Sequence, residues 1–206
     1  MDFEGERREM VEALTTRESL SEQTARAMRT VPRHEFVPEP RREYAYVDRP
    51  LPIGEGQTIS APHMVAIMTD LLELSPGTTV LEIGTGCGYH AAVTAEVVGA
   101  ENVYTVEYHR RLAETARETL ERTGYGEVSV RVGDGRDGWP EHASYDQAYL
   151  TCAASDFPKQ VVEQVRDGGV LLAPLGDTTQ VLTRATKTET GLQRERYSRV
   201  RFVPLK

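Results

Sequence analysis

The chain has 206 residues, of which 39% are hydrophobic and 27% charged, and this length and composition predict one globular domain with a full core. The formal net charge of −8, without an evident cluster of lysines or arginines, argues against a protein that binds nucleic acid through its phosphates. No apolar stretch is long enough to span a membrane and the acidic N-terminus is unlike a signal peptide, so we expect a cytoplasmic protein without membrane partners.

The N-terminal part is predicted to form two short helices and an irregular segment. Helical spacing runs from Glu6 to Leu14 and from Leu20 to Val31, and Ser19 with Glu22 has the spacing of a capping box. Prolines then bracket an extended, irregular stretch that reaches residue 56. Because the stretch from Phe36 to Leu51 contains several aromatic and apolar residues, we expect a functional loop that folds over a site.

A helix is predicted to follow the sequence Gln57-Thr58-Ile59-Ser60-Ala61-Pro62-His63-Met64. Apolar residues recur at helical spacing from Met64 to Leu74, and Ser75-Pro76-Gly77 ends the helix. On spacing alone, Ser60 is a helix cap and His63 a surface residue of the first turn.

The next stretch, from Thr79 to Gly88, has the pattern of a buried strand, a glycine turn and a helix start. Val80, Leu81 and Ile83 form the strand, and small apolar residues resume at helical spacing from Ala91. Backbone amides at such a turn can approach a ligand closely because glycine has no Cβ. The pattern therefore predicts a nucleotide-type binding site, although a glycine turn alone is often only a tight turn.

The spacing of the glycines indicates which ligand the turn binds. Gly84, Gly86 and Gly88 alternate, and Glu82 stands two residues before the first of them. This acid-x-Gly-x-Gly-x-Gly pattern resembles motif I of the S-adenosylmethionine-dependent methyltransferases. A dinucleotide oxidoreductase requires a third glycine where this chain has Tyr89, which makes that alternative improbable.

Two further acids follow predicted strands. Asn102 to Val106 is a strand that ends in Glu107, which is a candidate for binding both ribose hydroxyls of an adenosine. Glu107 could instead stabilise the start of the helix predicted from about Arg110 to Arg122. The strand from Val128 to Val132 ends in Gly133-Asp134-Gly135. Three acids at the ends of three parallel strands indicate one crevice.

The remainder of the chain completes an α/β sheet. It is predicted to contain a strand from Tyr145 to Thr151, a helix from Pro158 to Arg166, a strand from Val170 to Leu175, and an antiparallel hairpin formed by Gln180 to Lys187 and Leu192 to Leu205. Five βα units and a terminal hairpin match class I methyltransferases: a Rossmann-like, doubly wound, mostly parallel sheet with an N-terminal helical extension. We expect a single domain with functional parts at residues 1–56, 57–176 and 177–206.

The two cysteines are too few for a disulfide framework. Cys87 follows the first core strand and Cys152 the fourth, and these strands are neighbours in the usual doubly wound order. The sulfurs are therefore expected near one another, with two reduced thiols favoured over a disulfide. The sequence shows no spacing typical of metal ligands.

Several blocks, in family order over about residues 30 to 205, resemble protein-L-isoaspartate O-methyltransferase. They are Val31-Pro32-Arg33, Phe36-Val37-Pro38, Gly56 to Met64, Leu81 to Tyr89, Gly133-Asp134-Gly135 with Trp139-Pro140, and Phe202-Val203-Pro204-Leu205. The resemblance implies an enzyme that moves a methyl group from S-adenosylmethionine, leaving S-adenosylhomocysteine, to the free carboxylate of L-isoaspartyl or D-aspartyl residues. The implied partners are damaged proteins, and we also expect a monomer without a metal.

By position, the resemblance implies that Ser60 is the active-site serine. The positions that it implies for the cofactor site are Thr58, Ile59, His63, Glu82, Gly84, Gly86, Gly88, Glu107, Tyr108, Asp134, Gly135 and, with a looser alignment, Gln180. Cys87 stands where the family often has serine, and His90 replaces a frequent glutamine. We expect His90 to be a solvated polar residue.

The residue types suit methyl transfer to a carboxylate. A carboxylate is ionised at pH 7 and needs no general base, so Ser60 is expected to orient one carboxylate oxygen. Two alternatives from the sequence remain open: an acceptor that is a metabolite or RNA, and a paralogue that binds S-adenosylmethionine or modified proteins without turnover. The acidic charge argues against RNA.

Overall fold

The computed structural model describes residues 2–206. The N-terminal part contains α1 (Phe3–Glu18), α2 (Glu22–Thr30), two 3₁₀ turns (Arg33–Phe36 and Glu39–Tyr44), a hairpin of β1 (Leu51–Gly54) and β2 (Gln57–Ile59), and α3 (Pro62–Leu71). The core contains β3 (Val80–Ile83), α4 (Tyr89–Val98), β4 (Val103–Glu107), α5 (Arg110–Arg122), β5 (Ser129–Val132), β6 (Tyr145–Leu150), α6 (Lys159–Gln164), β7 (Val165–Leu175), β8 (Gln180–Thr188) and β9 (Gly191–Val200).

The core is a seven-stranded sheet in the order β5-β4-β3-β6-β7-β8-β9. The first five strands in this order are parallel, and β8 and β9 continue the sheet as an antiparallel hairpin. Strand order reverses between β3 and β6, so the carboxyl ends of these strands border a crevice. The predicted doubly wound α/β fold is confirmed.

The apolar core consists of two clusters, one on each face of the sheet, because successive strand residues point to opposite faces. Val80 and Tyr149 belong to a cluster with α1 to α5, whereas their neighbours Leu81 and Leu150 belong to a second cluster with α6. Successive residues of a strand point to opposite faces, which explains why both must be apolar in these buried strands. No helix within residues 2–206 has the length and apolar character to cross a membrane.

The N-terminal part differs from the prediction in its caps. Ser21, and not Ser19, caps α2: its hydroxyl accepts from the Thr24 amide at 3.2 Å. Ser19 instead ends α1 in the left-handed conformation. Asp70 determines this register because it accepts from the amide and the hydroxyl of Ser21 at 3.0 and 2.6 Å.

Of the stretch from Phe36 to Leu51, only Pro50 lines a cavity of the candidate site described below, so the stretch is not a loop that folds over the site. Phe36, Ala45 and Tyr46 are at most 8% exposed and belong to the main apolar cluster beneath the N-terminal helices. Their apolar character therefore reflects core packing, and the predicted irregular stretch instead contains two 3₁₀ turns and the first strand of the β1–β2 hairpin.

Three other boundaries differ from the prediction. The described chain forms only two 3₁₀ turns between β5 and β6, Gly135–Asp137 and Pro140–His142, so the third βα unit lacks its helix. Strand β7 begins at Val165 because it already pairs with Tyr145 there. Strand β9 ends at Val200, and residues 201–206 leave the hairpin.

Candidate active site

A cleft lies at the carboxyl ends of β3, β4 and β6 and encloses about 740 Å³ of space open to solvent. Six parts of the chain contribute to its wall: the turn after β3, the end of β4, the segment before α3, the residues that follow β5 and β6, and the C-terminus. The lining residues that matter below are Thr58, Ile59, Ser60, Gly84, Gly86, Glu107, Tyr108, Gly135, Thr151 and Val203 to Lys206.

The glycine turn is held against β4. The Gly84 amide donates to the Val106 carbonyl at 2.8 Å, and the Gly86 amide donates to Glu107 Oε2 at 2.9 Å. Both glycines have positive φ, +99° and +55°, a conformation that L side chains rarely adopt. The turn therefore presents bare backbone to the cleft, which is what close approach of a ligand requires.

Glu107 is a buried carboxylate on the wall of the cleft. Within residues 2–206, its side chain accepts hydrogen bonds from backbone amides alone: Oε1 accepts from His109 at 2.9 Å and Oε2 from Gly86. A carboxylate oxygen can accept more than one hydrogen bond, so lone pairs remain for a ligand. Glu107 therefore both braces the glycine turn and offers acceptors to a group with paired hydroxyls.

Glu82 lies beneath the turn and does not line the cleft. It is fully buried, and it accepts from Thr105 Oγ1 at 2.5 Å and from the Tyr149 hydroxyl at 2.9 Å. Thr105 in turn bonds the Thr85 hydroxyl at 2.7 Å, which connects Glu82 to the turn. Burial raises the pKa of Glu82 to about 8, with a smaller effect of the nearby Glu107 charge.

Glu82→Gln is expected to gain stability relative to wild type as the pH rises from 5 to 8. The folded protein keeps the Glu82 proton up to about pH 8, whereas the unfolded chain releases it near pH 4.5, so this group weakens folding as pH rises between these values. The difference in free energy of unfolding between variant and wild type should grow by about 3 to 4 kcal/mol between pH 5 and pH 8. Urea denaturation at both pH values measures it, with the exposed Glu118→Gln as control; a difference independent of pH would contradict the prediction.

Ser60 is positioned through its backbone by Arg33. The Arg33 side chain is fully buried, and it donates to the carbonyls of Ala45 and Ser60, each at 2.8 Å. Its guanidinium lies 4.8 Å from the centroid of the Tyr89 ring. Ser60 does not cap α3, because the cap residue is Ala61. The predicted helix cap is therefore wrong, which leaves the Ser60 hydroxyl free for another role.

A second cavity adjoins the cleft, with Ser60 in the wall between them. Thr58, Ser60, Thr151 and Val203 line both cavities. The second cavity is also lined by Pro50, His63, Met64 and the chain from Arg199 to Val203. Ser60 thus borders two neighbouring spaces, which suits a transfer between two bound molecules held side by side.

The C-terminal segment closes part of both cavities. It pairs with the chain after β6, where the Ala153 amide donates to Val203 and the Leu205 amide to Ala153, both at 2.8 Å. Gln180 fixes its beginning: the Phe202 amide donates to Gln180 Oε1 at 2.6 Å, and Gln180 Nε2 donates to the Phe202 carbonyl at 3.1 Å. The sequence pattern predicted a strand as far as Leu205 and did not predict that residues 201–206 pair with the chain after β6.

The structure brings most of the sequence-predicted site residues together at the cleft and leaves five away from its wall. His63 lines the second cavity, where its amide and Nδ1 contact Asp48 at 3.0 and 2.8 Å. Gly88 packs against Leu120, and Asp134 pairs with Arg136 at 2.7 Å. Glu82 and Gln180 act on the wall through the neighbours described above. Whether these residues contact a cofactor stays a prediction.

Comparison with known proteins identifies the chain. The family model for protein-L-isoaspartate(D-aspartate) O-methyltransferase matches residues 5–206. This protein belongs to that family. The chain is 51% identical to protein-L-isoaspartate O-methyltransferase 2 of Archaeoglobus fulgidus, over 100% of this chain and 95% of that one. It is 53% identical to the Methanopyrus kandleri protein-L-isoaspartate O-methyltransferase, over 90% and 84% of the two chains.

Solved structures agree with the family. One protein-L-isoaspartate O-methyltransferase superposes with a TM-score of 0.88 and 31% identity, over 96% of this chain and only 65% of that chain. A Plasmodium falciparum structure named for the same activity, with S-adenosyl-L-homocysteine bound, gives a TM-score of 0.83 and 26% identity, over 97% and 98% of the chains. The family that the sequence motifs indicated is therefore confirmed.

Two positions at which this protein-L-isoaspartate O-methyltransferase family member departs from the usual motif lie at the cleft. His90 is 6% exposed, its ring lies tilted against Tyr149 with the centroids 4.6 Å apart, and it contacts Thr69 Oγ1 at 3.2 Å, so the expectation of a solvated residue is wrong. Burial lowers the pKa of His90 to about 3, which keeps the imidazole neutral.

Cys87 and Cys152 line the same cleft as free thiols, and burial raises the pKa of each, to about 11 and about 12.

Sequence reasoning missed Arg33 and the C-terminal segment as parts of the site. Arg33 is fully buried, which is rare for arginine without a specific partner, but this burial is visible only in the structure. Within residues 2–206, no group of three or more His, Cys, Asp or Glu side chains is arranged to hold a metal ion.

Proposed function

We propose that this protein transfers a methyl group from S-adenosylmethionine to the free carboxylate of L-isoaspartyl, and D-aspartyl, residues in damaged proteins. The observation that carries the proposal is Ser60, which stands in the wall between a cleft with a bare glycine turn and a second, open cavity. Family membership over residues 5–206 supports both the reaction and the acceptor.

The cleft fits the cofactor by the chemistry of its wall. Gly84 and Gly86 offer backbone that no side chain covers, and Glu107 offers carboxylate oxygens for ribose hydroxyls. Thr58, Ile59, Tyr108 and Gly135 complete the wall, and a Cβ on Gly135 would collide with Ile83. When bound, S-adenosylmethionine supplies a methyl group activated by its sulfonium charge.

The substrate side requires orientation more than acid–base chemistry. An isoaspartyl carboxylate is ionised at pH 7, so no residue needs to remove a proton. The Ser60 hydroxyl donates to one carboxylate oxygen and leaves the other free to accept the methyl group, while Arg33 fixes the Ser60 backbone. Holding two reactants in line lowers a barrier by about 7 to 11 kcal/mol, which makes alignment the main contribution of the chain.

Glu107→Ala is expected to weaken S-adenosylhomocysteine binding by at least about tenfold. The substitution removes the acceptor for the ribose and also releases the Gly86 amide, each worth about 1 to 2 kcal/mol. Isothermal titration calorimetry measures the affinity, and Glu114→Ala on the exposed face of α5 is the matched control. Equal affinity of Glu107→Ala and wild type would exclude the role of Glu107.

The proposed activity is tested with labelled S-adenosylmethionine and a synthetic isoaspartyl peptide, with the normal aspartyl peptide as control. Base-labile methyl incorporation into the isoaspartyl peptide alone is expected, because only in that isomer is the free carboxylate the α-carboxylate, attached directly to Cα. No incorporation despite tight S-adenosylhomocysteine binding would favour a non-catalytic paralogue or another acceptor.

We also propose that the chain works as a monomeric, single-domain enzyme in the cytoplasm. Residues from the parts 1–56, 57–176 and 177–206 all line the second cavity, which supports one functional unit. Two cysteines that form no disulfide are consistent with a reducing compartment. Gel filtration of the purified chain tests the monomer.

A further inference from the structure

The C-terminal hairpin of this acidic protein is basic. Residues 191–206 contain five basic residues and one acidic residue, a net charge of +4, while residues 1–190 carry −12. The expectation that the chain has no arginine cluster is wrong, because residues 194–201 contain four arginines. We name Arg194, Arg196, Arg199 and Arg201 the arginine row: the first three lie in β9, and Arg201 follows the end of this strand and lines the second cavity with Arg199.

A β-bulge aligns this row. Arg194 pairs with Ala185, Arg196 with Thr183 and Arg199 with Val181, with a register shift after Arg196. The partners on β8 are alternate residues, so they share one face of the sheet, and the three arginines share it as well. Without the extra residue of the bulge, Arg199 would point to the opposite face.

Most of the row is free of acidic partners. Arg194 pairs with Asp156 at 2.7 Å, whereas Arg196, Arg199 and Arg201 make no ion pair within the described chain. Arg194 and Arg196 line a small cavity together with Ser155 and Thr179, and with Thr183, whose hydroxyl donates to the Val181 carbonyl at 3.1 Å. Positive charge and hydroxyl donors together suit a carboxylate ligand.

The row leads to the proposed acceptor site. Arg199 and Arg201 line the second cavity, which Ser60 also lines. Strand β9 lies at the edge of the sheet and its residues are largely exposed, so a polypeptide can lie along it. An extended polypeptide rises about 3.4 Å per residue, as β9 does. A substrate with one side chain bound at Arg201 can therefore place a side chain about five residues away at Arg196.

We propose that the arginine row binds acidic side chains that flank the isoaspartyl residue of a damaged polypeptide. The inference rests on the proposed function and adds a substrate preference to it: isoaspartyl residues in acidic segments are methylated faster than those in neutral segments. The favoured partner is an acidic polypeptide and not a nucleic acid, because the row is short and adjoins the cavity at Ser60.

The test compares kcat/KM for two isoaspartyl peptides that differ only in their flanks, glutamate or glutamine at the second and fourth positions on both sides. We expect the acidic peptide to be preferred about fivefold at low salt, the effect of two exposed ion pairs. The preference should fall below about twofold at 1 M salt, because the Debye length is then only about 3 Å and exposed charges are screened from one another. Methylation of the glutamine peptide tests the proposed function separately.

Arg196→Glu is the diagnostic variant because Arg196 is exposed, unpaired and away from the second cavity. It should reduce the preference below about twofold and leave kcat/KM for the glutamine peptide within about twofold of wild type. Arg8→Glu, an equal charge change on the exposed face of α1, should retain the fivefold preference. Equal kcat/KM for both peptides in wild type, or an unchanged preference in Arg196→Glu, would overturn the inference, as would inhibition by a single-stranded oligonucleotide without any peptide preference.

Discussion

Arg33→Met is expected to lower the free energy of unfolding by about 3 kcal/mol and to reduce kcat at least about tenfold. Arg33 donates to the carbonyls of Ala45 and Ser60, and a buried carbonyl left without a donor costs about 1 to 3 kcal/mol. Methionine fills most of the volume and removes the cost of a buried charge, which limits the loss. Urea denaturation measures the stability and steady-state kinetics measure kcat.

The two effects have different origins, and a second variant separates them. Arg33→Lys retains a cation but not the planar fork that reaches both carbonyls at once. If Arg33 positions Ser60, this variant should lose kcat while KM for S-adenosylmethionine stays within about twofold. A kcat equal to that of wild type in a folded Arg33→Met protein would show that the Ser60 carbonyl needs no such support.

The charge state of Arg33 follows from its surroundings. Burial lowers the pKa of the guanidinium, and no carboxylate of the described chain bonds it. The two carbonyl oxygens and the Tyr89 ring face stabilise the cation. Within residues 2–206, its third nitrogen, Nη1, has no hydrogen-bond partner. Such a group is costly, so its presence beside the segment that carries Ser60 indicates a positional role.

The fold was predictable from the sequence because its core strands are short, apolar and punctuated by glycine. Val80 to Ile83 and the helix from Arg110 to Arg122 were predicted at the bounds that the structure has. The pattern failed where apolar residues serve tertiary packing: Phe36 and Tyr46 were predicted to cover the site, but they lie in the core beneath α1 and α2. Hydrophobicity alone does not distinguish a lid from a core segment.

The site was predictable where local geometry requires a particular residue type. Gly84 and Gly86 adopt positive φ, and Glu107 follows directly from its place at a strand end. Glu82, which the motif placed with the cofactor, lies one layer below, since β3 residues alternate between faces and the side chain bonds Thr105 and Tyr149. The contributions of Arg33 and of residues 203–206 depend on contacts between distant parts of the chain, which no local pattern contains.

Ser60→Ala is expected to reduce kcat about 10- to 100-fold while leaving S-adenosylhomocysteine affinity within about twofold. The loss corresponds to one hydrogen bond to a charged group, about 1.5 to 3 kcal/mol, that aligns the acceptor carboxylate. The cofactor wall keeps Glu107 and both glycines of the turn, so its affinity has no reason to change. Because the Ser60 carbonyl still accepts from Arg33, the variant should also fold with nearly wild-type stability.

Three measurements decide the role of Ser60 together: kcat on an isoaspartyl peptide, the dissociation constant for S-adenosylhomocysteine and the free energy of unfolding. Ser75→Ala, in the exposed turn after α3, is the matched control and should equal wild type in all three. Ser60→Thr retains a hydroxyl at the wall between the two cavities and should recover part of kcat. If Ser60→Ala turned over as fast as wild type, the serine would be a wall residue only, and alignment of the carboxylate would fall to Thr58 and Thr151, the other hydroxyl residues that face both cavities.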